Sequence, residues 1–249
     1  SQLSKIIPLL PILTVVALAG CQPKKDTAAA TEKVDIPLIH AKVVTVKIPK
    51  QKVCLEDGCT NYDLQTVETN QKWIDEYFVN RMKKAEPNAF SNIADQKVKV
   101  PADEPSLSES STYVRFVGQN YNLASFAIQS YSYSAGAAHG MSHQEFVNFD
   151  LSNKKHITVS ELLKPDMNTK LRDELYASNQ NWLEQHSIKK EDLQVSDNYY
   201  YGVNGIVFVY PLYELASYAE GMSELTLPYY AAKQFVKAEY LPSLPKDPN

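Results

Sequence analysis

Two β-strand patterns in the middle of the chain flank a short segment with Gly and His, and this arrangement constrains the fold most. Residues 123–133 and 145–150 are rich in apolar and aromatic side chains, and Tyr131-Ser-Tyr-Ser-Ala-Gly-Ala-Ala-His-Gly140 leads from one to the other. Two strand patterns joined by a Gly-containing loop indicate an antiparallel hairpin. We therefore predict a hairpin whose long loop carries Gly136, His139 and Gly140.

The first strand of this hairpin changes parity along its length. Ala124, Phe126 and Ile128 share one face, whereas Tyr131 and Tyr133 fall on the other parity. Because side chains alternate between the two faces of a strand, either these tyrosines face the opposite side or a bulge lies near residues 129–130.

The rest of the chain mixes strand and helix patterns without strict alternation. We predict strands over 36–53, 97–100, 113–117, 205–210 and 225–227. Helices are predicted over 69–84 and 229–236, and two more start near 158 and 166. Residues 85–111 are predicted as an otherwise irregular loop, and residues 198–201 as a turn. Thr158 and Glu161 have the spacing of a capping box, and Asp166 is a candidate cap for the next helix. The pattern indicates an α+β fold of two small adjoining subdomains, with antiparallel sheets and helices packed on one side.

The ends of the chain do not resemble folded domains. Residues 1–20 read as a signal peptide that is cleaved before Cys21. Leu18-Ala-Gly-Cys21 is a lipobox-like motif that predicts lipidation of Cys21. Residues 21–36 lack apolar periodicity and read as the lipidated cysteine followed by a flexible tether. We predict subdomains over 37–150 and 151–236, and a Pro-rich tail over 237–249.

The lipobox predicts the place of the protein in a bacterial cell envelope. A lipidated Cys21 would make the lipid anchor the only contact with the membrane. Gln22, and not Asp, follows Cys21. By resemblance to Gram-negative sorting signals, this predicts the outer membrane in a Gram-negative organism; in a Gram-positive organism the same motif predicts the outer face of the plasma membrane. We therefore expect a lipid-anchored envelope protein.

Charge and cysteine content restrict the function further. The net charge of −4 does not indicate a nucleic-acid-binding protein. Apart from Cys21, the chain has only Cys54 and Cys59, which in an exported protein are expected to form a disulfide, although a thiol pair that binds a metal is an alternative.

No motif for catalysis stands out. His139 and His143 are four residues apart, a spacing that would present two imidazoles to a metal on a helix, but Gly140 and the flanking strands favour a loop. A pair of carboxylates that meet only in the folded chain would give a hydrolase, which is the remaining catalytic alternative. We predict no catalytic residue, no bound metal and no cofactor.

Tyrosine is the most informative residue type. The chain has 16 Tyr against 8 Phe, and many of the tyrosines lie near strand ends. Tyrosine is favoured on recognition surfaces because it combines a large contact area with a hydroxyl group at low entropic cost. The alternative is that these tyrosines are half-buried residues of the sheets.

Three stretches together resemble the extracellular region of RsiV-type proteins. They are the segment Tyr131–Gly140 quoted above, Phe149-Asp-Leu151 leading to Ile157-Thr-Val-Ser-Glu-Leu-Leu163, and Val207-Phe-Val-Tyr-Pro-Leu-Tyr-Glu-Leu-Ala-Ser-Tyr-Ala-Glu-Gly221 with Leu227-Pro-Tyr229. The resemblance covers residues 36–236. This sequence differs in having a lipobox where those proteins have a transmembrane helix, and in a loop that is one residue longer.

The resemblance implies a binding function, because an anti-sigma factor of this type uses the region as a receptor for lysozyme, and related regions precede polysaccharide deacetylase domains. It suggests a surface for a protein partner that contains Tyr133, Ser134, Gly136, His139, Gly140, Pro211, Tyr213 and Tyr218. For His139, a purely structural hydrogen bond within the turn is the alternative. The leading hypothesis is a non-enzymatic module that binds a lysozyme-like muramidase and inhibits or sequesters it. A module that binds peptidoglycan or another wall glycan is the second hypothesis.

Overall fold

The computed structural model describes residues 35–242, so the predicted signal peptide, Cys21 and nearly all of the predicted tether lie outside it. Its strands are β1 (Ala41–Thr45), β2 (Lys52–Leu55), β3 (Gly58–Thr69), β4 (Leu107–Asn120), β5 (Leu123–Tyr133), β6 (Met141–Asp150), β7 (Lys155–His156), β8 (Tyr199–Tyr201), β9 (Gly205–Tyr210) and β10 (Ser223–Pro228). Its α-helices are α1 (Lys72–Ala85), α2 (Pro87–Phe90), α3 (Val159–Leu162), α4 (Asn168–Ser178), α5 (Gln180–Gln185) and α6 (Tyr229–Ala232). The α+β class is confirmed.

The described strands form two sheets. In the larger one, seven strands include the order β1-β3-β4-β5-β6-β7, with β2 paired to the other end of β3. The smaller sheet has the order β10-β9-β8. Every pair is antiparallel except β3 and β4, which run parallel and are connected through α1 and α2. None of the helices in residues 35–242 is long and apolar enough to cross a membrane.

The central hairpin is formed by β5 and β6, which pair in continuous register from Leu123–Asp150 to Ser132–Met141. A register shift does occur, but it lies in β4 between Phe116 and Gly118. The parity change in β5 therefore means that Tyr131 lies on the opposite face from Ala124 and Phe126, and the alternative of a bulge at 129–130 is wrong.

Two clusters of buried side chains form the core of the described region. One lies between α1 and the larger sheet, where Ile74, Phe78 and Met82 pack against residues such as Phe126 and Phe149. The spacing of these helix residues by four places them on one side of α1. The other cluster lies between the smaller sheet and the helices α3 to α6. Residues 238–240, predicted as part of the tail, form a 3-10 turn whose Tyr240 is buried in this second cluster.

A buried amide connects the two sheets. Asn148 on β6 is fully buried, and its Oδ1 accepts a hydrogen bond from Ser125 Oγ at 2.7 Å. Its Nδ2 donates to the carbonyl oxygen of Tyr199 on β8 at 2.9 Å. Because a buried amide without partners costs folding free energy, these bonds hold the smaller sheet against the larger one in a defined position.

Several local predictions are wrong. The strand predicted over 36–53 is two strands, the predicted strand at 97–100 is absent from the described region, and β4 begins within the predicted loop. The predicted turn at 198–201 is largely strand β8. Asp166 does not cap α4, because its backbone is left-handed at φ 59° and Met167 occupies the N-cap position. Thr158 does cap α3 by accepting a hydrogen bond from the Glu161 backbone, but the Glu161 side chain pairs with Lys155 instead of completing the box.

The predicted disulfide is confirmed. Cys54 and Cys59 are bonded, and they lie directly opposite each other in the hairpin of β2 and β3.

Candidate functional site

The loop between β5 and β6 is held by hydrogen bonds within the hairpin. The backbone N–H of Ala137 donates to the carbonyl oxygen of Ser134 at 2.9 Å, which closes a tight turn around Gly136. Gly136 has φ 82°, a left-handed backbone conformation that glycine adopts without steric cost. The Tyr133 hydroxyl donates to the Ala137 carbonyl oxygen at 3.0 Å. These contacts give the loop a defined shape.

Gly140 lies where the loop returns to β6. A Cβ atom at this position would lie 2.4 Å from the ring of Tyr131, far inside van der Waals contact. The Tyr131 ring thus lies directly against the Gly140 backbone, which is buried. The absence of a side chain allows this close approach.

A second segment, after β9, approaches this loop. Pro211 follows the fully buried strand β9 and starts a turn in which the Glu214 N–H donates to its carbonyl oxygen at 3.3 Å. Tyr213 lies inside this turn, is 56% exposed and has φ 72°. Leu215 is buried and anchors the turn to the core. The position of Tyr213 is therefore determined on both sides by packed residues.

Three aromatic rings meet between the two segments, and we refer to His139, Tyr213 and Tyr218 as the aromatic cluster. The His139 ring stacks on Tyr218, with ring centroids 3.9 Å apart and planes inclined by 24°. The Tyr213 and Tyr218 centroids are 5.6 Å apart. All three side chains are exposed. The cluster thus presents apolar ring surface to solvent.

Hydrogen bonds fix the orientation of the rings. His139 Nδ1 lies 3.0 Å from the carbonyl oxygen of Gly140. Because a carbonyl oxygen can only accept, Nδ1 carries a hydrogen in this bond. In the neutral ring Nε2 then accepts from the Tyr213 hydroxyl, which lies 3.2 Å away. Tyr218 also donates to the Gly140 carbonyl oxygen, at 3.0 Å. His139 therefore bonds within the turn and also positions Tyr213.

The structure places the predicted surface residues in two groups that meet. The hairpin loop and the strand end before it contribute Tyr133, Ser134, Gly136, His139 and Gly140. The segment after β9 contributes Pro211, Tyr213 and Tyr218. The hydrogen bond between Tyr213 and His139 spans 74 residues of sequence. Their predicted role in binding a partner stays a prediction.

The two histidines considered as metal ligands have different surroundings. His139 belongs to the aromatic cluster, whereas His143 lines a pocket at the end of α1 together with Arg81 and Glu145. In the part of the chain that the structure describes, no group of three or more His, Cys, Asp or Glu side chains is arranged to hold a metal ion.

Sequence reasoning missed a polar contact that lies next to the cluster in the chain. Glu220, two residues after Tyr218, accepts a hydrogen bond at 2.7 Å from Nε2 of His186. His186 also stacks on Trp182 with centroids 3.8 Å apart, and its Nδ1 lies 2.8 Å from the Trp182 carbonyl oxygen. The partners are 34 residues apart, so no local pattern indicates the pair.

This contact shifts the pKa values of both partners. The hydrogen bond to Glu220, with the bond to the Trp182 carbonyl as a smaller cause, raises the pKa of His186 above its ordinary 6.5. The same hydrogen bond lowers the pKa of Glu220 below its ordinary 4.5. Both ionised forms are favoured by the pairing.

We expect His186→Gln to reduce stability more at pH 5.5 than at pH 8.5. The contribution of His186 is fully present below its ordinary pKa and is lost as the pH rises through its raised value; that of Glu220 is lost as the pH falls through its lowered value. The pair therefore stabilises most in the interval between the two ordinary values. Urea unfolding of both proteins at the two pH values measures this. His40→Gln, at an exposed position without an ion pair in the described region, is the control, and an equal loss at both pH values would contradict the assignment.

Comparisons with known proteins connect the second segment to a family. The family described as "Protein of unknown function (DUF3298)" matches residues 150–230, which include Tyr213 and Tyr218 but not the hairpin loop. No curated protein matches the sequence.

Two solved structures have a similar fold. The crystal structure of a DUF3298 family protein from Pseudomonas aeruginosa has a TM-score of 0.63 at 16% identity and covers 84% of this chain and 99% of its own. The crystal structure of a DUF3298 family member from Bacteroides fragilis has a TM-score of 0.56 at 16% identity and covers 82% of this chain and 96% of its own. At this identity the likeness shows a common fold.

Proposed function

We propose that this protein is a non-enzymatic binding module that binds a protein partner through the aromatic cluster and the hairpin loop beside it. The observation that carries this proposal is the arrangement of His139, Tyr213 and Tyr218, three exposed rings from distant segments held together by stacking and hydrogen bonds. Exposed tyrosines that are clustered and oriented are typical of binding surfaces.

The rigidity of the cluster favours this function. Immobilising a side chain on binding costs about 0.5–1.5 kcal/mol, so rings that are already oriented lose less on association. Tyr213 also holds a left-handed backbone at φ 72°, which costs a non-glycine residue about 1–2 kcal/mol. Strain of this kind is concentrated at functional sites, where the surrounding structure enforces it.

The partner we propose is a lysozyme-like muramidase. The resemblance to RsiV-type ectodomains supports this choice, and it includes both segments that form the cluster. Charge is compatible with it: Glu214 and Glu220 are exposed beside the tyrosines, and the chain has a net charge of −4, which suits a basic partner. With lipidation of Cys21, the module would act from a lipid anchor in the bacterial envelope, the outer membrane in a Gram-negative organism.

Titration of the full-length protein against hen egg-white lysozyme tests the proposal. Binding is expected, and Tyr213→Ala should weaken it at least about 30-fold, which corresponds to about 2 kcal/mol at a central aromatic residue. Tyr213→Phe keeps the ring and loses only the hydrogen bond to His139, so a smaller loss is expected.

Tyr230→Ala is the matched control, because Tyr230 is 77% exposed on α6 and is not part of the cluster. This variant should bind as the wild type does. No measurable binding by the wild-type protein would contradict lysozyme as the partner. Wild-type affinity in Tyr213→Ala would remove the cluster from the binding surface.

A further inference from the structure

The larger sheet extends beyond the helix that covers it. α1 ends at Ala85, and a pocket is lined by its last turns and by residues of β4, β5 and β6. The pocket measures 330 Å³ and lies between the last turns of α1 and the face of the three strands. Its volume is at the lower end of the range for small-molecule sites. None of its lining residues belongs to the aromatic cluster.

The side chains on this face change from apolar to hydroxyl-bearing where the helix ends. Under α1 the paired residues Val114 and Ile128 are apolar. The next two rows on the same face, in the register of the sheet, are Thr112–Ser130–His143 and Ser110–Ser132–Met141. Four serine and threonine hydroxyl groups and an imidazole from three strands therefore line one pocket, and the side chain of Tyr131 lines it as well.

Most of these polar groups have no hydrogen-bond partner in the described part of the chain. The side chains of Thr112, Ser130, Ser132 and His143 make none there, whereas Ser110 donates to Glu86 at 2.6 Å. Thr112 and Ser130 are half-buried. Unpaired donors and acceptors that converge on a cavity are able to bind the hydroxyl groups of a ligand.

The charges in the pocket do not favour an anion. Arg81 is the one arginine or lysine of the lining, and its Nη2 already donates to Glu145 at 2.6 Å while its Nη1 donates to Tyr77 at 3.0 Å. Glu86 adds a second carboxylate. An incoming anion would meet one neutralised guanidinium and an excess of negative charge.

We propose that this pocket binds an uncharged saccharide unit. Carboxylates of Glu86 and Glu145 accept hydrogen bonds from sugar hydroxyls, and the serine and threonine hydroxyls both donate and accept. Met82, Ile128 and Met141 provide apolar surface for the C–H face of the ring. The inference is independent of the proposed partner of the aromatic cluster, because the two sites have separate side chains.

NMR titration of the full-length protein with N,N′-diacetylchitobiose and with cellobiose tests the inference. Binding of at least one of the two is expected, with amide shifts concentrated at residues 110–112, 130–132 and 143. A disaccharide bearing carboxylate and sulfate groups serves as the anionic probe and should bind more weakly. Ser130→Val and His143→Phe should each weaken saccharide binding about tenfold, as expected for the loss of a hydrogen bond to the ligand.

Ser142→Val is the matched control, since Ser142 adjoins His143 on β6 but lies on the other face of the sheet, and it should bind as the wild type does. Tyr213→Ala should also retain saccharide binding, which separates this result from any failure with lysozyme. The absence of shifts with both neutral sugars up to their solubility limits, or tighter binding of the anionic probe, would overturn the inference. So would shifts with the neutral sugars that Ser130→Val and His143→Phe leave unchanged.

Discussion

Replacing Phe149 with alanine should lower the free energy of unfolding by about 3–5 kcal/mol, the range for removing a large buried aromatic side chain. Phe149 is fully buried on β6. Its ring centroid lies 5.1 Å from that of Tyr77, 5.2 Å from Trp73 and 5.5 Å from Phe126. Most of these contacts are edge-to-face, the favourable geometry for aromatic pairs. The variant loses both apolar burial and these contacts, and α1 together with the sheet would have to close a cavity between rigid elements.

Urea unfolding followed by circular dichroism measures this loss. Tyr230→Ala removes an aromatic side chain that is 77% exposed and should change stability by less than about 0.5 kcal/mol. If Phe149→Ala were no more destabilising than this control, the result would contradict close packing of α1 on the sheet around Phe149.

Gly205→Ala should destabilise the protein by about 3 kcal/mol, the upper part of the usual range for overpacking. Gly205 begins β9 and pairs with Pro228 on β10. A Cβ atom there would lie 2.1 Å from the carbonyl oxygen of Leu227 and 2.8 Å from its carbonyl carbon. Both are backbone atoms of a paired strand, so relief requires the strands to separate at this end.

Gly118→Ala is the matched control for this substitution. It also lies in a strand, but a Cβ atom at position 118 would meet no atom within 4 Å. The two variants should therefore differ in unfolding free energy by several kcal/mol when measured by urea unfolding. Equal stability of the two would show that β9 and β10 are not as closely paired as described.

Sequence patterns predicted those elements whose conformation depends mainly on residues that are near each other in the chain. Strand β5 and strand β9 have the bounds predicted from their apolar content, and both are dominated by residues that favour strands. The N-cap role of Thr158 follows from its own side chain and backbone. The disulfide follows from two cysteines within one hairpin.

Elements that depend on distant contacts could not be predicted. Residues 198–201 carry the signals of a turn, but Tyr199 is buried and its hydroxyl donates to the carbonyl oxygen of Ile157, 42 residues away. The polar first half of β4 shows no apolar alternation, because its inward-facing Ser110 and Thr112 line the pocket beyond α1 and are not covered by the helix. Nothing near Asp166 in sequence indicates that its backbone is left-handed.

In the aromatic cluster, too, some features follow from local sequence and others only from contacts between distant residues. The turn around Gly136 and the position of Tyr213 after a buried strand are visible in the sequence, and the resemblance to RsiV-type regions suggested both segments together. The stacking of His139 on Tyr218 and the pairing of His186 with nearby Glu220 arise only from the fold. The saccharide pocket was likewise not indicated, because its hydroxyl groups come from three strands.

The amide of Asn148 bears on how much of the chain must be kept together for the structure to be complete. Its bonds to Ser125 and Tyr199 join β5 and β6 of the larger sheet to β8 of the smaller one. The family match begins at residue 150, just beyond this amide. A gene fragment encoding 150–230 alone would lack the strand that carries Asn148 and leave the Tyr199 carbonyl without its donor, so recombination that moved this segment by itself would transfer an incomplete structure.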